Sequence, residues 1–287
     1  MRKNLVSRAY DQINQFSGGT LEILKRTMNS LSRERAGQAA AGLAYYAFFS
    51  LFPLLLLLVV GSSFFFESDQ ASQQVVEFIS QALPVSTTLL ERNIAQVLEL
   101  RGPVSAIGLI SLLWSATSVF SALAHNINLA WPKSKERNFF HKRLMGLLMT
   151  SALLALFGLS VTVSSLNTLL SAWRIAIFGS VSETNLWEIL SQISSWILIL
   201  LMFLALYRWV PTEDVGWKPA VWGALAATFL WQIATTAFTW FLRAGLGSYD
   251  LVYGSLAAVV ALLILIYINA WVALFGAHLC AAIMGEQ

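Results

Sequence analysis

Six long apolar runs punctuate the chain, near residues 39–66, 104–128, 144–166, 189–210, 218–242 and 254–284. A helix needs about 20 apolar residues to cross a hydrocarbon core of roughly 30 Å, and each run reaches that length. Inside lipid the backbone must satisfy its own hydrogen bonds, and the runs lack the short alternation of barrel strands, so the pattern predicts helices. The predicted fold class is all-α, a polytopic membrane bundle of about six transmembrane helices in a single domain over 39–284.

The polar stretches between the runs are also patterned. In the loop 67–103, Val75, Val76, Ile79 and Leu83, then Leu90, Ile94, Val97 and Leu98, recur at helical spacing on either side of Pro84. Two interfacial amphipathic helices are expected there, the second opened by Thr88 and Glu91 at the spacing of a capping box. Residues 1–38 place Leu5, Ile13, Phe16, Leu21, Leu24, Met28 and Leu31 among basic side chains, a basic amphipathic segment suited to an anionic inner leaflet.

Charge sets the orientation, because Lys and Arg in short loops stay cytoplasmic. Arg2, Lys3, Arg8, Lys25, Arg26, Arg33 and Arg35 precede the first run, and Lys133, Lys135, Arg137, Lys142 and Arg143 follow the second. Loop 67–103 instead carries Glu67, Asp69, Glu77, Glu91 and Glu99 against Arg92 and Arg101. Six spans alternating from that start put both termini in the cytoplasm. Composition agrees with a membrane class: 57% of the 287 residues are hydrophobic and 11% charged, against about a quarter charged in soluble domains. The polar start Met1-Arg2-Lys3-Asn4 predicts a retained N-terminus, and the lone Cys280 excludes an intramolecular disulfide.

Chemistry within the runs is sparse. Pro53 falls midway along the first, where it frees the Phe49 carbonyl, so a kink or break is expected beside Ser50. Broken helices in carriers often border substrate sites. The other polar groups are His125, Asn126 and Asn128 at the end of the second run, Gln232 in the fifth, and Tyr267, Asn269 and His278 in the sixth. No carboxylate, Lys or Arg is centred in a run. His278 alone could titrate near neutral pH there, and one histidine reads first as a packing residue. Asn269 and Gln232 read first as interhelical hydrogen-bonding groups. Small residues at Gly37, Ala40, Ala41 and Ala44, at Gly223 and Ala227, and at Ala273, Ala277 and Ala281 form ridges for close helix packing or self-association. Trp114, Trp131, Trp187, Trp217 and Trp271 suit interfacial anchors or core. The spacing of Pro103 to Trp114 loosely parallels that of Pro219 to Trp231, as inverted repeats would. Three scattered histidines and the adjacent Glu213 and Asp214 assemble no metal or catalytic cluster, so no enzyme, cofactor or metal is expected.

The segment from Gln38 through Tyr45, Tyr46, Ser50 and Pro53 to Leu54 resembles the signature of the YihY/virulence-factor BrkB family of six-span inner-membrane proteins. Asn128, Pro211, the Pro219–Trp231 stretch with its Trp-Gly-Ala-Leu-Ala-Ala run, Tyr253-Gly254-Ser255-Leu256 and Leu274-Phe275-Gly276-Ala277 are similar to further landmarks of that family. The likeness covers about residues 30 to 284. His278 stands where the family usually has an acidic residue, and Ile266 where it usually has Trp. The resemblance implies a bacterial inner-membrane protein linked to lipid or amphiphile export, and an older ribonuclease label that these residues do not support. The reading that follows is a transporter or exporter of an amphiphilic, lipid-like substrate. Its cavity candidates are Tyr45, Tyr46, Ser50, Pro53, Asn128, Gln232, Asn269 and His278. Membrane lipids are the expected partners, with no nucleic acid. The alternative is a membrane scaffold or envelope-assembly partner.

Overall fold

The computed structural model describes residues 19–62, 106–132, 138, 140–141, 143–152, 155, 184–253 and 257–285. Among these there are seven helices and no strand: α1 (Thr20–Arg33), α2 (Ala36–Ser62), α3 (Ala106–Asn128), α4 (residues 143–152), α5 (Thr184–Trp209), α6 (Trp217–Tyr253) and α7 (Ala257–Met284). The expected surface helices of loop 67–103, with the Thr88 cap, lie outside the described residues, as do residues 1–18 and the later part of the third apolar run.

α1 has Glu22 in its first turn and Arg33 in its last, signs that complement the helix dipole. It buries Thr27, Ser30 and Leu31 and leaves Leu24 and Met28 exposed. Arg35, at φ 51°, turns the chain sharply from α1 into α2. No break occurs in α2 at Pro53: the helix runs through it from Ala36 to Ser62. Ser50 does not answer the freed Phe49 carbonyl either, since its hydroxyl donates to the Ala47 carbonyl at 3.1 Å.

α6 extends to Tyr253, well past the end of its apolar run at residue 242. Arg243, Gly245, Gly247 and Asp250 end the hydrophobic pattern there, but a helical glycine costs only about 1 kcal/mol, so hydropathy stops before the helix does. Among the described residues two helical stretches are long and apolar enough to cross a membrane, Trp217–Leu242 and Val259–Met284, and Trp196–Trp209 is apolar but shorter. On α6, Trp222, Leu225, Phe229, Ile233 and Trp240 form an exposed apolar stripe, a surface that water would not tolerate over such an area.

α7 is the centre of the assembly and touches α1, α2, α3, α5 and α6. The small-residue ridges explain how. Ala227, Ala277 and Ala281 are fully buried, and Gly223 of α6 lies so close to α7 that a Cβ there would meet the Cys280 sulfur and the Gly276 carbonyl. A Cβ on Gly276 would strike the Tyr207 ring of α5. That clearance lets the buried Tyr207 hydroxyl donate to the Ala273 carbonyl at 2.9 Å. Ser30 of α1 meets His278, Asn128 of α3 meets Thr212, and Cys280 meets Pro219 at the start of α6. The starts of α2 and α6 and the ends of α3, α5 and α7 therefore share one tightly packed end of the bundle.

Candidate functional site

The eight expected cavity residues are spread over α2, α3, α6 and α7. Tyr45 and Tyr46 of α2 are 59% and 48% exposed, and with Phe49 make an aromatic cluster in which Tyr45 lies 4.6 Å from the Phe49 ring. Ser50 is buried and Pro53 half-buried on the same helix.

Asn128 is a structural clamp. Its amide donates to the Ala124 carbonyl at 2.9 Å. Its Oδ1 accepts the Thr212 backbone N–H at 2.8 Å and the Thr212 hydroxyl at 3.2 Å. The α5–α6 connection is thus pinned to the end of α3. Close by, Arg208 pairs with Asp214 at 2.8 Å and lies over the Trp217 ring.

His278 is another tether. It is 2% exposed, and its Nδ1 is 2.9 Å from the Ser30 hydroxyl. The bond locks the amphipathic α1 onto the last turns of α7, where it was expected only to lie along a lipid surface.

Asn269 differs from all of these. Its Oδ1 is buried and has no hydrogen-bond partner, in the helix that contacts five others. Gln232 is half-buried on α6. Residues that sequence reasoning did not select share Asn269's condition: Thr235 Oγ1, Trp131 Nε1 and Arg208 Nε are also buried and unpartnered. The threonine had no distinguishing signal, because most threonines in such helices bond back to their own turn, as Thr228 and Thr239 do here. Trp131, taken for an anchor or core residue, is core at 1% exposure. Trp114 is 53% exposed, whereas Trp231 packs edge-on against Phe203 at 5.8 Å, so the suggested repeat places its two tryptophans in unlike surroundings.

Arg143 also lies elsewhere than in a free loop. Its guanidinium covers the Trp114 ring at 3.6 Å and donates to the Trp114 carbonyl and the Ser118 hydroxyl. Gly146 permits this close approach of α4, since a Cβ there would meet Ser121 and the Thr117 carbonyl. Among the described residues no group of three His, Cys, Asp or Glu side chains is placed to hold a metal ion.

Comparison with known proteins assigns the chain to a family. The family model described as virulence factor BrkB matches residues 27–287, nearly the whole of what is described above. The chain belongs to the BrkB family. Proteins of similar sequence span similar lengths. The ribonuclease-like protein YfkH of Bacillus subtilis is 25% identical over 278 residues, 91% of this chain and 94% of that protein. A UPF0761 membrane protein of Aliivibrio salmonicida is 28% identical over 259 residues, 88% of this chain and 80% of its own. A UPF0761 membrane protein of Vibrio atlanticus is 25% identical over 277 residues, 96% of this chain and 86% of its own. No solved structure matches this BrkB-family chain. With two membrane-length apolar helices among its described residues, it is a membrane protein of that family.

Proposed function

We propose that this BrkB-family protein is a six-span bacterial inner-membrane carrier or exporter of an amphiphilic, lipid-like substrate, with both termini in the cytoplasm. The observation that carries the reading is the buried, unpartnered Asn269 Oδ1 in the central helix α7. A buried polar group without a partner is expensive in hydrocarbon, and a bound substrate would supply the missing partner. The topology draws support from the shared end of the bundle, where α1 with Lys25, Arg26 and Arg33, the Arg208 turn and Lys218 gather beside the end of α7. Both termini of the described chain lie at that end, where among the described residues Lys25, Arg26, Arg33, Arg35, Arg208 and Lys218 outnumber Glu22, Glu34, Glu213 and Asp214.

The test is flux. Proteoliposomes holding the full chain and a fluorescent short-chain glucosylceramide, an amphiphile with an uncharged head group, are exposed to an impermeant quencher. The reading expects label in the inner leaflet to become accessible faster than in protein-free vesicles, and slower again with Asn269→Leu. Rates equal to protein-free vesicles would reject a carrier of such amphiphiles.

A second reading, a membrane scaffold or envelope-assembly partner, is favoured by the same packed end. Gly223, Gly276 and Tyr207 weld α5, α6 and α7 together there, and Ser30 ties α1 to them. Neither reading assigns a catalytic step, a cofactor or a nucleic-acid partner. The ribonuclease-like name belongs to YfkH, and His125, His141 and His278 are too scattered along the sequence to suggest a nuclease centre.

A further inference from the structure

Two contacts set the register of the antiparallel pair α6 and α7. Gly223 lies against Gly276 and Cys280 at one end, and Phe238 and Leu242 pack with Leu265 towards the other. Between those contacts Thr235 falls level with Asn269. On α7, Leu265, Asn269, Ala273, Gly276 and Cys280 follow at steps of three and four, so they share the face turned to α6. On α6, Ala227, Trp231, Thr235 and Phe238 share the corresponding face by the same spacing.

Among the described residues, one apolar cluster includes Trp231, Ala234 and Ala270 and another includes Phe238 and Leu265. Thr235 and Asn269 fall between these along their helices, and Thr235 Oγ1 and Asn269 Oδ1 are both buried and both without a hydrogen-bond partner.

The chemistry of the two groups restricts what would satisfy them. An amide oxygen accepts only, whereas a threonine hydroxyl donates and accepts. One hydroxyl therefore answers both: its hydrogen goes to Asn269 Oδ1 and its oxygen accepts the Thr235 proton. A charged group is disfavoured, because Lys218, far off at the start of α6, is the one Asp, Glu, Lys or Arg in Trp217–Leu242, and Val259–Met284 has none. An ammonium or phosphate would be buried there without a counter-charge.

We propose that Thr235 and Asn269 together form a binding site for the uncharged hydroxyl of a polyol or sugar head group on an amphiphile. The assignment rests on the amphiphile-carrier reading above and names the head-group class that reading leaves open.

The test uses the full chain in phosphatidylcholine nanodiscs, titrated with 1-monolauroylglycerol or with methyl laurate, which has the same acyl chain and no hydroxyl. Native mass spectrometry reads the ligand retained. Wild type should retain monolauroylglycerol saturably and in preference to methyl laurate. Thr235→Val with Asn269→Leu should weaken that retention at least about tenfold, as the loss of two hydrogen bonds would. Thr235→Ser, which keeps the hydroxyl, should retain it as wild type does. The double variant should unfold no earlier than wild type without ligand, since it removes two unpaired oxygens, so lost binding would not reflect misfolding. Equal retention by wild type and the double variant would overturn the site and leave the carrier reading standing. Equal retention of the two probes by wild type would overturn the hydroxyl class. Saturable retention of neither probe would overturn the site and count against the carrier reading with it.

Discussion

Single side chains at the packed end differ sharply in what they contribute. Ser30 and His278 form a bond sealed from water, so Ser30→Ala should destabilise the fold by about 1–2 kcal/mol, read as a lower unfolding midpoint in nanodiscs. The Arg208–Asp214 pair is as short, but Asp214 is 89% exposed, and an exposed ion pair contributes little. Asp214→Asn should therefore leave the midpoint nearly unchanged. Gly223→Ala should cost about 1–3 kcal/mol by overpacking, because its Cβ meets both the Cys280 sulfur and the Gly276 backbone. Trimming the sulfur with Cys280→Ala in the same chain should recover only part of that loss, since the carbonyl remains.

At the scale of elements, the connection between α5 and α6 is held by α3 rather than by its own turn. Asn128 takes both the backbone N–H and the hydroxyl of Thr212. Asn128→Ala should loosen this connection and speed hydrogen exchange at the Thr212 amide, with a stability loss of about 1–2 kcal/mol. The same substitution would leave amphiphile flux near wild type if Asn128 acts only as a clamp. α1 is likewise a docked element: Thr27, Ser30 and Leu31 face the bundle, and Leu24 and Met28 form the side that remains exposed. A helix identified by its amphipathic spacing thus divides its apolar surface between protein and exterior.

Across the whole molecule, the contacts Ser30–His278, Asn128–Thr212 and Cys280–Pro219 gather distant parts of the chain at one end. In a Cys280→Ala background, Asn29→Cys, Asp214→Cys and Gly285→Cys should therefore all react with an impermeant maleimide from the same side. The proposed topology makes that side the cytoplasm, so labelling should require inverted vesicles. Labelling of any one of the three in intact spheroplasts would refute the arrangement.

The sequence alone determined that the chain is helical and membrane-like, because backbone groups in lipid must bond within their own segment and long apolar runs leave no other structure. It also marked the small residues that permit close packing, since Gly223, Ala227, Ala277 and Ala281 lie at helical spacing whatever their neighbours. Spacing along one helix says nothing of what faces it from another. Only the tertiary structure decided that Asn128 is bound by Thr212, that His278 holds α1, that Tyr45 and Tyr46 are exposed, and that Asn269 alone among the selected polar groups keeps a buried oxygen unmatched. Thr235 was hidden for the same reason: its significance comes from lying level with a residue of α7, through an antiparallel register that the order of residues does not encode locally.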